Sequence, residues 1–381
     1  MALNPLPALS QGRQPRGIVK VNGSALPGWI EWEFDNNSNY QADTFLVTYA
    51  GGALPTDRNV AWLSAQGDLT VEILAGFPQN PDAPLDSELT SFIVGRVDDL
   101  VYDPLQNTIR LSGRDYTSQF IDAKTTEVFK NQTVAQIVHT LASRHGMTAN
   151  VALGITPPGT LAGSFYEIDH ARLTSEHSEW DLLTWLAQQT QCSVFVTGQK
   201  LNFQPAPDPT KDDSYVIQWV SPNDRSGAPQ SNVIDIKFAR NLTLTKDVKV
   251  IVTSWNSKQK QRFSVTAHAT KTKNAVTRNA GLPFGQPQLY SYTIPGLTHQ
   301  EALVKAQALL AEISKHEMRM DVTFPADNIL TAQTLVTVQG TGTKFDQVYF
   351  PDSVIRSMSI DEGYRMRVAA KNHSPQTTVT L

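Results

Sequence analysis

Asp68-Leu69-Thr70-Val71-Glu72-Ile73-Leu74 sets apolar Leu69, Val71 and Ile73 against polar Thr70 and Glu72. That period of two marks a strand with one buried face. Similar runs lie on both sides. Upstream, Gly17-Ile18-Val19-Lys20-Val21 ends in Asn22-Gly23, a two-residue hairpin signal. Ile30, Trp32 and Phe34 alternate within 29–34, and the β-rich run 44–49 is closed by Gly51-Gly52. Downstream, 92–101 and 108–113 complete the set. Short strands at close spacing, punctuated by Gly, Pro and Asn, predict a small barrel or sandwich over 17–113.

The period changes after Asp115. Thr133-Val134-Ala135-Gln136 is a capping box. Val134, Ile137, Val138 and Leu141 then fall on one helical face, and Gly146 stops the helix after His145. A second helix is expected over 178–191, with Leu182, Leu183, Trp185, Leu186 and Ala187 as its apolar residues. Pro157-Pro158-Gly159 marks a loop between them. Strand patterns return at 193–196, 200–203, 215–220, 233–238 and 248–255, the last with Val248, Val250 and Val252 on one face. Residues 257–290 carry Lys258, Lys260, Lys271, Lys273 and Arg278 and read as a long exposed hairpin or loop. Thr298-His299-Gln300-Glu301 opens the best helix signal, 298–316, whose stripe is Ala302, Ala306, Leu309, Leu310 and Ile313. Strands resume at 318–324, 334–338, 347–349, 353–360 and 364–370.

The expected fold class is mainly β with α. It has a flexible arm at 1–16, a first β-barrel at 17–113, a helical or mixed insertion at 114–192, and a second β-barrel region at 193–381 that carries the basic loop 257–290 and the inserted helix 298–316. Pro5, Pro7 and Pro15 argue against helix in the arm. The length of 381 residues suits two or three domains of about 150 residues each. Hydrophobic residues make up 40 %, enough to bury real cores, and the 18 % charged residues are too few for a wholly disordered chain. The 32 basic and 36 acidic residues leave a net charge of −4, with no general attraction for nucleic acid. Cys192 stands alone, so an intrachain disulfide framework and a multi-cysteine zinc site are excluded; it reads as a small buried hydrophobe. No apolar run has the length of a membrane span, so no membrane anchor is expected, and 1–17 lacks the apolar region of a secretory signal.

No catalytic, cofactor-binding or metal-binding residues are assigned. His316-Glu317-Met318-Arg319-Met320 begins like a zincin motif but has Met at the second histidine position, and reads as a solvated helix end. Gly340-Thr341-Gly342-Thr343 is followed by Phe345 rather than a third glycine and reads as a turn between strands. His139 and His145 fall on nearly opposite helical faces; His170 and His177 flank Glu176 but need the loop to fold back to share a metal. Asp98-Asp99 and Asp212-Asp213 are adjacent pairs whose members point to opposite strand faces, so neither makes a glycosidase pair alone. A distant carboxylate pair stays open. Lys258-Gln259-Lys260-Gln261-Arg262-Phe263 reads as a solvated hairpin, or as a basic loop touching an acidic protein. Trp29, Trp32 and Trp255 read as core; an open groove lined by them would instead mean a glycan- or receptor-binding protein.

Several stretches, in order, resemble the baseplate hub proteins of contractile-tailed phages, the Mu-type hub and late control D family. They are Val19-Lys20-Val21-Asn22-Gly23, Gly28-Trp29, 42–47, Gly67-Asp68 and Gly95-Arg96-Val97-Asp98-Asp99. The most specific block is Leu111-Ser112-Gly113-Arg114-Asp115-Tyr116-Thr117, with Phe120-Ile121-Asp122, Asn131-Gln132-Thr133 and His145-Gly146 after it. Later come 250–256, Pro295-Gly296-Leu297-Thr298, 340–346 and Gly363-Tyr364-Arg365-Met366. The resemblance spans 17–373. It implies a virion protein of the tail baseplate, made in the host cytoplasm, with no enzyme activity and no cofactor. It implies a homotrimer in which each chain carries two tail-tube-like barrels, giving a ring that adapts the sixfold tail tube to the threefold central spike and leaves an axial channel for transient passage of DNA. Partners are then the tail tube or its initiator, other baseplate proteins and a separate spike protein, because the chain stops at Leu381 soon after the last strand. The rivals are an envelope-glycan hydrolase and a host-glycan-binding tail protein.

Overall fold

The computed structural model describes residues 2–4, 14–38, 40–124, 129, 132–153, 177–190, 192–209, 211–222, 229–240, 248–256, 261–271, 288–294, 297–314, 318–372 and 377–380. The chain is mainly β with a minority of helix, as its alternating patterns require. It divides into two compact units. The first holds Met1–Tyr215, Thr323–Thr334 and Asp352–Val368; the second holds Val216–Val322, Leu335–Pro351 and Ala369–Leu381.

The first unit is built on β1 (Arg16–Val21), β2 (Ser24–Ala25), β3 (Trp29–Asn37), β4 (Thr44–Ala50), the short α1 (Val60–Ala65), β5 (Thr70–Gly76), β6 (Thr90–Asp103) and β7 (Thr108–Asp115). The strands are ordered β3-β4-β7-β6-β5-β1-β2, and residues 353–359 pair antiparallel along the free edge of β3. Val71 and Ile73 are fully buried, opposite Val21 and Val19 of β1. Each such side chain contributes about 1.5–3 kcal/mol. Asn22 (φ 51°) and Gly23 (φ 77°) form the expected two-residue turn, since both positions need positive φ.

Gly113 and Gly95 let β6 and β7 approach closely. A Cβ on Gly113 would strike the Arg96 carbonyl oxygen, and the Phe45 ring covers both glycines. The expected closed barrel is not formed by the ladders among the described residues. The sheet curls instead, so that β1 meets other strands through side chains: a Cβ on Gly17 would lie 2.8 Å from Trp32 Nε1 and 3.1 Å from Met358 Sδ. Residues 2–4 are tied down, with Leu3 N donating to Ser214 O at 3.0 Å.

The same unit carries a helical layer: α2 (Thr117–Asp122), α3 (Val134–Arg144), β8 (Thr148–Val151), α4 (Glu179–Thr190), β9 (Cys192–Thr197) and β10 (Lys200–Pro205). The small sheet runs β8-β10-β9. The capping box is as read: Thr133 Oγ1 accepts from Gln136 N, and Gln136 Oε1 accepts from Thr133 N at 2.8 Å. Gly146 sits at φ 67° and ends α3. Phe120, Ile137, Leu141, Leu183, Leu201 and Phe203 anchor this core. The short α2, directly after Asp115, had no periodic signal.

The second unit contains the rest of β11 (Ser214–Val220), β12 (Gln230–Ser231), β13 (Asp235–Arg240), β14 (Val248–Asn256), β15 (Gln261–Lys271), β16 (Gln288–Thr293) and α5 (His299–Ser314). Parts of β17 (Met318–Pro325), β19 (Val348–Ser359) and β20 (Gly363–Asn372), with β18 (Leu335–Gln339) and β21 (Thr377–Thr380), complete it. Ala302, Ala306 and Leu310 of α5 pack on Val250, Val252, Val265 and Ala267 of the sheet β16-β14-β15-β21.

Two expectations change here. The basic segment 257–290 is not one exposed loop: 261–271 is β15, paired along β14, and 288–290 opens β16. Its lysines obscure a period of two, in which Val265 and Ala267 are buried while Arg262 and Ser264 are exposed. Residues 257–260 and 272–287 lie outside the described residues. The helix 298–316 ends by Ser314, and Met318-Arg319-Met320 opens β17 rather than extending a helix end, because Met318 and Met320 alternate with Arg319 into the core. His316 and Glu317 lie outside the described residues.

Candidate assembly surface

β6 is the longest strand, and its outer half leaves the core. A register shift between Val97 and Asp99 marks a bulge, which adds twist and re-aims the strand beyond it. Past the bulge Val101 is 58 % exposed, Tyr102 43 % and Leu105 96 %. The turn that presents Leu105 is rigid: Asp103 Oδ1 accepts from Leu105 N (2.8 Å) and Gln106 N (3.1 Å), and Gly51 N donates to Asn107 O at 2.7 Å. At the root of the hairpin Arg114 grips Asp98 with two bonds, Nε to Oδ2 at 2.7 Å and a second nitrogen to Oδ1 at 3.1 Å. A rigid hairpin end with three exposed apolar side chains is a surface suited to contact. In the second unit, Trp255 is 50 % exposed near the end of β14, opposite exposed Arg262. Trp32 is buried as expected, Trp29 is partly buried, and Trp255 departs from the core reading.

The other residues singled out in the sequence are placed as follows. Cys192 is buried at the start of β9. His139 is exposed, whereas His145 Nε2 lies 2.6 Å from buried Glu179, which also holds Arg144 at 3.2 Å. His177 faces Asp181 at 3.8 Å; His170 and Glu176 lie outside the described residues. Among the described residues no group of three His, Cys, Asp or Glu is placed to hold a metal ion. Asp212 closes a turn by accepting from Asp208 N at 2.7 Å. In the Gly340–Thr343 loop the amide cradle is already filled. Asp346 Oδ1 accepts from Thr341 N (3.0 Å) and its hydroxyl (2.7 Å), and Oδ2 accepts from Gly342 N (2.9 Å).

Sequence reasoning missed a carboxylate cluster. Asp43, at the end of the β3–β4 loop, accepts from Asn37 N (2.7 Å) and Asn36 Nδ2 (2.9 Å). Asp115, buried at the end of β7, accepts from Thr117 N (3.1 Å) and Thr117 Oγ1 (2.8 Å). Asp115 N donates to Asp43 O at 2.9 Å, which joins the two residues. Asp35 lies near Asp43, and its Oδ1 has no hydrogen-bond partner. Burial pushes Asp43 up to about 7, against the opposing pull of the Asn37 and Asn36 hydrogen bonds. Burial and then the Asp43 charge raise Asp115 well above the ordinary carboxylate range. Burial and the Glu33 charge raise Asp35. The only signal available in sequence was Asp115 two residues before Thr117, a helix-start pattern.

No protein-family model matches this sequence, and no curated protein is similar enough to it in sequence to count as a relative. Solved structures do share the fold. A 43 kDa tail protein of prophage MuSo2 from Shewanella oneidensis is 15 % identical, with a TM-score of 0.65 over 94 % of this chain and 98 % of its own. A tail protein from Neisseria meningitidis MC58 is 14 % identical, with a TM-score of 0.62 over 95 % and 98 %. An Escherichia coli component of the type VI secretion system, described as similar to the bacteriophage T4 tail proteins gp27 and gp5, is 11 % identical, with a TM-score of 0.51 over 94 % of this chain and 77 % of its own.

Proposed function

We propose that this chain is a structural protein of a phage tail, the baseplate hub, located in the virion. The observation that carries the reading is the two-way coverage. The fold of nearly the whole chain superposes on nearly the whole of two tail proteins. The likeness to a secretion-system component itself compared with gp27 and gp5 favours a place at the tail tip. In this reading the chain forms a homotrimer whose β-rich units serve as tube-type repeats. The ring adapts a sixfold tube to a threefold spike and leaves a channel through which DNA passes. Its partners are the tube or its initiator, a separate spike and other baseplate proteins. The apolar end of the β6–β7 hairpin is the surface most in need of cover in such an assembly.

The enzyme reading loses support at its centre. The carboxylates that meet in space, Asp43 and Asp115, are wired to backbone and hydroxyl donors, and Asp115 is only 4 % exposed. A glycosidase pair must instead flank a substrate bond in a groove.

The test is the mass of the purified chain by light scattering over a concentration series, followed by negative-stain imaging. The expected result is a species near three times 42.0 kDa that images as a ring. A monomer at every concentration, both alone and with a spike protein added, would overturn the trimeric hub.

A further inference from the structure

We propose that Asp43 and Asp115 form a proton-holding latch between the large sheet of the first unit and its helical layer, closed while the pair keeps a proton and strained when both carboxyls ionise.

The geometry places the pair at the junction. Beyond β3 and ahead of Asp43, Tyr40 reaches the helical layer. Its carbonyl accepts from Trp180 Nε1 at 2.7 Å, and its hydroxyl donates to Cys192 O at 3.0 Å. Tyr40 sits at φ 65°, a conformation that its neighbours must hold in place. Asp43 does part of that holding, by bonding back to Asn36 and Asn37 across the loop. Asn37 Nδ2 adds a bond to Ala42 O at 3.1 Å. Asp115 secures the other side: its carboxylate takes Thr117 N and Oγ1, and its carbonyl takes Ser118 Oγ at 2.7 Å, all at the start of α2. The Asp115 N to Asp43 O bond joins the two halves.

Among the described residues, the hydrogen-bond donors to these two carboxyls are neutral. The nearby cations are engaged elsewhere. Arg114 turns to Asp98 and Asp122, and Arg356, on the strand beside β3, turns to the carbonyls of Asp327 and Leu330. In the helical layer around α2, Arg144 and His145 face Glu179, while His177 and Lys124 face Asp181. The other charges facing the pair are acidic: Asp35 faces Asp43, and Glu33 faces Asp35. Two neighbouring carboxylates, Asp115 buried and Asp43 partly buried, with no cation bonded to either among the described residues, cannot both ionise cheaply. One therefore keeps its proton near neutral pH, and the raised positions of both groups agree with that.

The sign follows from linkage. The unfolded chain releases these protons near the ordinary aspartate value of ~4, whereas the folded chain holds the Asp43 proton to about 7 and the Asp115 proton well above the ordinary carboxylate range. Between those limits the folded state binds more protons, so stability is greatest at the acid end and falls as pH rises. The pair titrates as a unit, so the dependence belongs to both residues.

The experiment compares the full chain with D43N, D115N and the double variant, following hydrogen-exchange protection at residues 40–43 and 115–118 from pH 5 to pH 8. For the parent chain the expected result is a loss of protection of at least about tenfold, since one pKa unit is a factor of ten. Each Asn variant should flatten that slope, and the double variant should abolish it. Equal slopes in all four proteins would overturn the latch. Because a variant can fail to fold, the parent chain is also examined by infrared spectroscopy. A protonated carboxyl band that persists at pH 6.5 and weakens as pH rises through 7 is expected; no such band at pH 6.5 would overturn the proposal by itself.

Discussion

Replacing Arg356 by Ala should loosen the first unit more than any other single truncation of a charged residue. Arg356 is 1 % exposed, yet carries a guanidinium. Its Nε donates to Asp327 O at 2.9 Å, a terminal nitrogen donates to Leu330 O, and the group stacks 4.7 Å above the Phe92 ring. The carbonyls belong to a segment that Asp327 also organises, through Ile329 N at 2.9 Å and Tyr215 OH at 2.8 Å. Alanine leaves two inward carbonyls without their donor, at ~1–3 kcal/mol each, and empties a cavity the size of the side chain. Against this stands the relief of no longer burying a cation, which burial already disfavours by pulling its pKa down. The net expectation is about 3–5 kcal/mol, the usual cost of removing one partner from a buried charged network. Lys at this position keeps the charge but loses the fork, and should fall between Ala and the parent. The assay is denaturant unfolding read by near-ultraviolet circular dichroism, together with hydrogen exchange at Ile329 and Leu330. A loss below about 1 kcal/mol for Ala, with unchanged exchange at those amides, would refute the idea that the guanidinium holds the 327–330 segment.

Other changes test the remaining steps. Gly113→Ala should cost about 1–3 kcal/mol or more, because its Cβ meets the Arg96 carbonyl oxygen, which is backbone and cannot swing aside; thermal melting reads it. Asp346→Ala removes three bonds to Thr341 and Gly342 and should speed exchange in the 340–346 turn with little effect on global stability. Val101→Asp with Leu105→Asp should leave the melting temperature within about 2 °C, since both side chains are already exposed, yet reduce the assembled fraction in light scattering. DNA binding by the assembled protein should be no tighter than the roughly 10⁻⁴–10⁻⁶ M of nonspecific contact at physiological salt; fluorescence anisotropy showing nanomolar binding would contradict a passive channel.

What could be read from the sequence, and what could not, divides by the range of the interaction. β5, the Asn22-Gly23 turn and the Thr133–Gln136 capping box are local: alternation, φ preference and reciprocal side-chain bonds act within a few residues, and each appears in the structure where the pattern put it. β15 is also local, but its buried Val265 and Ala267 are outnumbered by polar neighbours, so charge concealed the period. Val101 closed one expected strand, and Tyr102 and Leu105 fell between it and the next, so nothing in the local pattern marked the three as an exposed group beyond the bulge at 97–99. The carboxylate pair and Arg356 were out of reach for a different reason. Asp43 and Asp115 become neighbours only because β4 pairs with β7, bringing Thr44 opposite Arg114 across seventy residues of chain. Arg356 is interior only because residues 353–359 add to the edge of β3, from the far end of the sequence. A charged side chain gives no local sign that distant strands will enclose it. Those are also the positions where enclosure costs most, and the strand pairings that bury them hold them next to the partners they need. Disturbing the β4–β7 register should therefore release the Asp43–Asp115 junction and the exposed hairpin together, whereas disturbing the 353–359 edge should release Arg356 and leave the hairpin in place.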